Sequence, residues 1–235
     1  MQEPYHIKVS LREYYYLFLA GKWEIPDFSE RCLICNAKGC AKYHGFYTRR
    51  ANCPLTAFFT PDLPIIRLLC YGKGTNKICD HRTFSLLPLV LVPYRQLTLK
   101  FMILALWLRL SNKLSLVKSL TAIEIEFPNL NNFEDIANFI NISAQLEWEK
   151  IAIAALNLYI TSPLSLADGT KNGVIFQNSE DSLLSFLKMA IEYESIHIHP
   201  PIRGPDALAW DFYQSNGGAC KLSPFLFGIA SQHRN

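Results

Sequence analysis

The sequence contains no apolar run long enough to cross a bilayer. Its longest uninterrupted apolar stretch, Phe101 to Leu108, falls well short of the roughly 20 residues that a transmembrane helix needs. The start of the chain also lacks the charged region, apolar run and small-residue cleavage site of a secretory signal. We therefore expect a globular protein of the cytoplasm, without a membrane partner, whose thiols stay reduced.

Acidic residues are nearly missing from residues 31–118. This segment carries 14 lysines and arginines against only Asp62 and Asp80, a net charge of +12. Residues 1–30 carry −2 and residues 119–235 carry −7, so the whole chain has a formal charge of only +3. Such segregation predicts that the basic segment binds a polyanion. The alternative is a solvated basic face on an otherwise ordinary domain.

Six of the seven cysteines lie between residues 32 and 87. A disulfide framework is disfavoured, because the count is odd and no secretory signal precedes it. The pair Cys32 and Cys35 forms a C-x-x-C turn, which directs two sulfurs at one tetrahedral ion. Cys70 and Cys79 bracket the glycine- and lysine-rich loop YGKGTNKI, which has the turn chemistry of a second metal knuckle.

These two pairs predict one structural zinc site. Its ligands are Cys32, Cys35, Cys70 and Cys79. The competing ligands are Cys40, His44, Cys53 and His81. Of these, His81 is the strongest rival of Cys79, whereas Cys40 and Cys53 are interpreted as buried small hydrophobic residues. Four thiolates would close the coordination sphere, which argues against a catalytic zinc and therefore against an enzyme.

Basic residues alternate with apolar ones between the two knuckles, in the segments HGFYTRR and IIRLLC. Alternation with a period of two predicts short strands, so a small β zinc ribbon is expected. Six cations crowd this ribbon and are predicted to contact nucleic acid, with double-stranded DNA as the expected partner. They are Arg49, Arg50, Arg67, Lys73, Lys77 and Arg82.

A mainly α-helical module is predicted after the ribbon, giving an α+β fold. Residues 98–110 form its central helix, ended by Asn112, and a short helix spans residues 115–120. Residues 133–160 have the spacing of a helix-turn-helix. Ala137 would lie at the helix crossing, Asn141 in the turn and Ser143 at the cap of the second helix. The alternative for this segment is a plain helical hairpin.

Two carboxylates weaken the fit of the predicted second helix to a DNA groove. Glu147 and Glu149 are expected at exposed positions of that helix, where phosphates would repel them. Residues 119–235 are therefore expected to supply self-association or protein contacts rather than affinity for DNA.

The remaining predictions concern the two ends of the chain. A strand and then a helix ended by Gly21 are expected before the ribbon. Ser182 to Tyr193 should be helical, and the chain from His197 onward should be irregular. His197 and His199 are interpreted as structural, because no cysteine or carboxylate accompanies them. The predicted units are residues 1–27, 28–96, 97–162 and 163–235.

The order of C-x-x-C, HGFYTRR, IIRLLC and RTFSLLPLVLVPYRQLT resembles the zinc-ribbon front end of bacterial insertion-sequence transposases. It is still more similar to a family of uncharacterised bacterial proteins built from that ribbon and a following helical region. The resemblance covers about residues 28–150. It implies zinc binding by Cys32, Cys35, Cys70 and Cys79, and contact of the ribbon and helix-turn-helix with transposon-end DNA.

The sequence departs from that family in its longer second knuckle and its acidic second helix. It also shows no acidic triad on a long ribonuclease-like domain, so strand transfer by this chain alone is not expected. The sequence thus predicts a non-catalytic, zinc-dependent DNA-binding protein, and the resemblance implies an association with a mobile element. The alternative is a protein-interaction module that docks a transposase or another partner, with a purely structural zinc.

Overall fold

The computed structural model describes residues 2–33, 35, 37–71, 82–92, 95–132, 140–160, 180–195, 198 and 201–215. These residues form an α+β fold, in which a strand-rich part precedes a helical region. The predicted fold class is confirmed. None of the described helices combines the length and the apolarity that crossing a bilayer requires.

One four-stranded sheet forms the first part of the molecule. Its strands are β1 (Gln2–Tyr5), β2 (Ala41–Cys53), β3 (Phe58–Cys70) and β4 (Arg82–Pro88). They are arranged in the order β1-β4-β3-β2, with β1 parallel to β4 and the other pairs antiparallel. β2 and β3 are much longer than the predicted short strands, and β1 joins the same sheet from the N-terminal end of the chain.

A tight connection joins β2 to β3. A single 3-10 turn, Pro54–Thr56, is followed by Ala57 with a φ of 48°. Proline suits the first position of such a turn because its φ is already fixed near the required value. The register then runs from Cys53 opposite Phe58 to Ala41 opposite Cys70, with irregularities after Tyr43 and after Arg49.

Helix α1 (Leu11–Leu19) packs on β3. Ser10 caps it by accepting a hydrogen bond from the Glu13 amide at 3.1 Å. The Tyr14 side chain is buried, and its hydroxyl donates to the Pro64 carbonyl at 2.8 Å. Tyr16, two residues later, is 60% exposed. The tyrosine run therefore divides between core and surface, because successive residues of a helix face different directions.

The helical region surrounds one apolar helix. Its members are α2 (Leu99–Ser111), α3 (Leu116–Glu126), α4 (Ile142–Ile160), α5 (Glu180–Glu192) and α6 (Pro205–Ser215). The other four all pack against α2, which confirms its predicted central position. Its Phe101 ring lies 5.1 Å from Phe127 and 6.2 Å from Trp148, edge to face in both cases.

Helix boundaries set by local side chains agree with the sequence predictions at two places. The Asn112 side-chain amide donates to the Leu108 carbonyl at 2.9 Å and closes α2. The Ser115 hydroxyl accepts from the Lys118 amide at 3.3 Å and starts α3. Helix α3 continues beyond the predicted end at residue 120, however, and runs to Glu126.

The predicted helix-turn-helix is only partly covered, because residues 133–139 lie outside the described residues. The prediction that Ser143 caps the second helix is wrong. The Asn141 side chain accepts from the Ala144 amide at 2.8 Å, so the cap lies two residues earlier. Asparagine is as good an N-cap as serine, which explains the shift.

The expected irregular tail contains a regular helix instead. Gly204, with a φ of 101°, and Pro205 start α6, and proline is favoured at the first helical position because it lacks an amide that needs a partner. Phe212 and Tyr213 are buried. The Tyr213 hydroxyl donates to Glu3 of β1 at 3.1 Å, which ties this helix to the sheet.

The prediction that Glu147 and Glu149 stand at exposed positions is wrong for Glu149, whose side chain is 28% exposed, whereas the Glu147 side chain is 47% exposed. Both side chains are in ion pairs with arginines. Glu147 pairs with Arg95 at 2.7 Å. Glu149 pairs with Arg109 of α2, whose side chain is only 9% exposed. The acidic half of the chain therefore neutralises part of the basic half.

The Arg109–Glu149 pair should contribute to stability. We expect Glu149→Ala to lower the free energy of unfolding by about 3 kcal/mol, since it leaves a charge buried without its partner. Glu147→Ala is the matched control, and should cost less than about 1 kcal/mol because its ion pair is more exposed. Urea unfolding followed by circular dichroism measures both values. Equal losses in the two variants would contradict this assignment.

Candidate metal centre and basic face of the sheet

Four cysteines meet at one end of the sheet. The Sγ atoms of Cys32, Cys35, Cys40 and Cys70 all lie within 4.8 Å of one another. Cys70 is 3.7 Å from both Cys35 and Cys40, and Cys35 is 3.0 Å from Cys40. A tetrahedral zinc with bonds of about 2.3 Å separates its sulfurs by about 3.8 Å. The cluster therefore has the donor set and close to the spacing of a four-thiolate metal site.

Pairing of β2 with β3 places two of these ligands. Cys40 directly precedes β2 and Cys70 is the last residue of β3, where it lies opposite Ala41. The Tyr71 amide donates to the Cys40 carbonyl at 2.8 Å and extends the pairing by one step. Residues 30 positions apart thus present their sulfurs at the same end of the hairpin.

The preceding loop supplies the other two ligands. The Cys32 amide donates to the Ala37 carbonyl at 3.0 Å, which folds the loop back on itself. Gly39, with a φ of 67°, donates its amide to the Ser29 carbonyl. Most side chains would be strained in this left-handed conformation, so glycine is well suited to the step that leads into Cys40.

The cluster is mostly enclosed by apolar side chains. Cys32, Cys40 and Cys70 are fully buried, while Cys35 is partly exposed. Phe28 and Phe84 cover the cluster, with ring centroids 6.5 Å apart. Such a shell limits water access and strengthens the interaction of thiolates with a bound cation.

Proximity perturbs the acidity of the thiols. Burial opposes ionisation of Cys35, but hydrogen bonds from Cys40 and its other neighbours outweigh it and lower the Cys35 pKa to about 7. Burial, together with hydrogen bonds to the same neighbours, raises the pKa of Cys40. Without a cation, accumulating negative charge on several close sulfurs is unfavourable, and a divalent metal removes that cost.

Three of the four predicted ligands, Cys32, Cys35 and Cys70, are brought together. Cys79 and its rival His81 lie outside the described residues. Among those described, the fourth member is Cys40, which sequence reasoning interpreted as a small hydrophobic residue. The signal that could have found it is its position five residues after Cys35, at the start of a strand.

The other histidines and cysteines considered in the sequence do not belong to the described cluster. His44 lies exposed inside β2. Cys53 ends β2, 13 residues in length, at the end opposite to Cys40, and a strand rises by about 3.3 Å per residue. All five cysteines in the described part of the chain are free thiols. His197 and His199 lie outside that part.

The predicted nucleic-acid contacts divide into different environments. Arg50 and Arg82 are exposed, whereas Arg49 and Arg67 are only partly so, and Lys73 and Lys77 lie outside the described residues. Arg49 donates to the main-chain carbonyls of Val92 and Arg95. It therefore has a structural role that sequence reasoning did not assign.

An open cleft of about 490 Å³ lies on one face of the sheet. Its described lining is polar and basic, and none of the lining residues that the structure describes carries a carboxylate. The lining residues are Gln2, Tyr47, Arg49, Arg50, Arg67, Thr83, Ser85 and Gln96. Arg67 is held there by a hydrogen bond to the Thr83 hydroxyl at 3.0 Å.

Aromatic and basic side chains also project from the outer strand of the described sheet. The exposed residues of β2 are Lys42, Tyr43, His44, Phe46, Thr48 and Arg50. Phe46 is 52% exposed and contacts Phe18 edge to face at 5.0 Å. The Lys42 ammonium lies 5.4 Å from the ring centre of Tyr71, within cation–π range.

Comparison with known proteins adds no relative. No protein-family model, curated protein or solved structure matches this chain. The resemblance to insertion-sequence transposases and to ribbon-bearing bacterial proteins therefore stays a prediction.

We expect the purified protein to hold one Zn²⁺ per chain, bound by the four clustered cysteines. Cys40→Ser should lower the zinc content below about half and the melting temperature by several degrees, because metal binding contributes to folding in such sites. Elemental analysis and thermal unfolding give the two readouts.

Two matched variants complete the experiment. Cys53→Ser should keep a full equivalent of zinc, since Cys53 is outside the cluster. Cys79→Ser tests whether the fourth ligand is Cys40 or Cys79. If zinc is retained in Cys79→Ser and lost in Cys40→Ser, the fourth ligand is Cys40. The reverse pattern would make Cys79 the ligand.

Proposed function

We propose that this protein is a non-catalytic, zinc-dependent nucleic-acid-binding protein that contacts double-stranded DNA. The observation that supports this most directly is the outer strand β2, whose exposed side chains include two cations, Lys42 and Arg50, and two aromatic rings, Tyr43 and Phe46, but no carboxylate. Cations neutralise phosphates and release counterions, while aromatic side chains contact sugars or bases.

Charge distribution supports the same proposal. Glu147 and Glu149 pair with Arg95 and Arg109, so some of the basic excess is matched inside the molecule. Lys42 and Arg50 lie on a strand that contains no acidic residue. This strand therefore adds only positive charge to the surface of the described sheet, where it can attract a polyanion.

In this proposal the metal is zinc and its role is structural. Four cysteine ligands leave no open coordination position, and catalytic zinc keeps one. The ion would hold the loop around Cys32 against the end of the β2–β3 hairpin. Free thiols of this kind require a reducing compartment, so we place the protein in the cytoplasm. An association with a mobile element rests on the sequence resemblance alone.

The outer strand can be tested through salt dependence. We expect Lys42→Ala and Arg50→Ala each to reduce the slope of log K against log salt by about 1, as one lost phosphate contact does. Fluorescence anisotropy with a labelled DNA duplex at several salt concentrations measures the slope.

Lys118→Ala is the control for that experiment. Lys118 is an exposed cation of the same basic segment, but it lies on α3 rather than on the sheet. Its replacement should leave the slope unchanged. Wild-type protein that does not bind the duplex at low salt would exclude the proposed function.

A second candidate function is a protein-interaction module. Helix α4 exposes four aliphatic side chains, Ile142, Leu146, Ile153 and Ile160, each about 40% exposed. Leu146, Ile153 and Ile160 are spaced by seven residues and therefore share one face of the helix. Such a stripe favours self-association or docking of a protein partner through residues 119–235.

For this candidate we expect the wild-type protein to be dimeric at micromolar concentration. A double variant, Leu146→Lys with Ile153→Lys, should be monomeric because it places charges in the apolar contact. Leu19→Lys, at a 63% exposed position on α1, is the matched control and should leave the dimer intact. Light scattering coupled to size exclusion gives the mass, and a monomeric wild-type protein would remove self-association from the proposal.

A further inference from the structure

Three buried polar atoms in the lining of the cleft have no hydrogen-bond partner among the residues that the structure describes. They are Gln2 Oε1, Arg49 Nη1 and Gln96 Oε1. All three residues line the same cleft. A buried polar atom left unpaired costs about 1 to 3 kcal/mol, and native structures contain few of them. Three such atoms in the lining of one cleft indicate that a polar ligand binds there and supplies the missing hydrogen bonds.

Sheet register explains why these groups converge. Ser85 of β4 lies between Gln2 of β1 and Arg67 of β3, since it is the register partner of both. Neighbouring strands are about 4.8 Å apart. Gln2, Ser85 and Arg67 therefore form one polar row across three strands, on the face that opens into the cleft.

Existing hydrogen bonds hold the lining side chains in position. The Gln2 amide nitrogen donates to the Tyr47 hydroxyl at 2.9 Å, which leaves the Gln2 oxygen directed elsewhere. Arg49 is fixed through its other nitrogen by the Val92 and Arg95 carbonyls. Prior positioning of this kind lowers the entropic cost of binding a ligand.

The positive charge of the arginines in the cleft also favours binding of an anion. Burial lowers the pKa of the Arg49 guanidinium, with Tyr47 opposing this, because a cation removed from water is destabilised. Among the described residues no carboxylate lines the cleft to offset that cost, although Arg49 and Arg67 both contribute to the lining. An anion bound there would stabilise the guanidinium groups.

We infer that this cleft binds a nucleotide as a phosphate monoester, with the phosphate on Arg49 and Arg67. The side chains of Gln2 and Gln96 turn their buried oxygens toward the ligand and accept hydrogen bonds from the nucleoside hydroxyl or amino groups. This inference deepens the proposed function and rests on it for the biological source of the nucleotide.

Size and hydrogen-bonding chemistry favour a nucleotide over a bare anion. The volume of about 490 Å³ lies in the range of small-molecule pockets, roughly 300 to 1,000 Å³. Inorganic phosphate would occupy only a small part of it. Phosphate oxygens also act mainly as acceptors, whereas ribose and base groups can donate to both glutamines.

Calorimetric titration of the zinc-loaded protein tests the inference with three probes: adenosine 5′-monophosphate, adenosine and inorganic phosphate. We expect the monophosphate to bind at least tenfold more tightly than either of the others. Binding of inorganic phosphate as tightly as the nucleotide, or no binding of the nucleotide, would overturn the inference.

Variants separate the two halves of the site. Arg67→Gln should weaken nucleotide binding at least tenfold, whereas Lys118→Gln should change it less than twofold. Gln96→Leu should lower the affinity for the nucleotide but leave the weak binding of inorganic phosphate unchanged. Thr83→Glu retains Arg67 and adds a carboxylate beside it, so it should abolish binding without loss of zinc. Normal nucleotide affinity in Arg67→Gln or Thr83→Glu would contradict the assignment.

Oligonucleotides identify the source of the phosphate. In one outcome, a 5′-phosphorylated single strand binds more tightly than its 5′-hydroxyl form and competes with the nucleotide. This result would show that the cleft binds the phosphorylated end of a strand. Equal binding of the two strands assigns it to a free nucleotide, and either result supports a nucleotide site. Nucleotide binding without duplex binding would refute the proposed function alone, and duplex binding without nucleotide binding would refute this inference alone.

Discussion

Antiparallel pairing of β2 with β3 is the constraint on which the rest of the sheet depends. Its register places Ala41 opposite Cys70, and so brings Cys40 to the sulfurs of Cys35 and Cys70. The pairing of β3 with β4 aligns Arg67 with Ser85 and so forms the floor of the cleft. A slip of one residue in β3 would move every side chain on the strand to the opposite face of the sheet. Cys70 would then leave the cysteine cluster, and Arg67 would leave the cleft.

Features determined by local chemistry were predictable from the sequence. The C-x-x-C turn, the caps at Asn112 and Ser115 and the apolar character of α2 depend on residues within a few positions of one another. Cys40 could not be assigned in that way. Its partnership with Cys70 depends on strand register over 30 positions, and a single cysteine before a strand has several possible roles.

The wrong predictions for Glu149 and for the C-terminal segment have similar physical causes. The sequence predicts Glu149 at the surface because its sequence neighbours do not reveal Arg109, which lies 40 positions earlier. The segment around Pro205 suggested irregular structure, since proline more often interrupts helices than starts them. Burial of Phe212 and Tyr213 against the rest of the molecule supplies the stabilisation that local propensity does not show.

The parallel contact between β1 and β4 has a consequence for synthesis of the chain. Residues 2–5 are translated before their pairing partners, residues 85–88. β1 therefore lacks its partner in the described sheet until β4 has been translated. The bond from Tyr213 to Glu3 spans 210 positions and forms later still. The β2–β3 hairpin can form early from neighbouring segments, whereas addition of β1 to the sheet is late and non-local, so the edge of β4 that receives β1 stays unpaired in the interval.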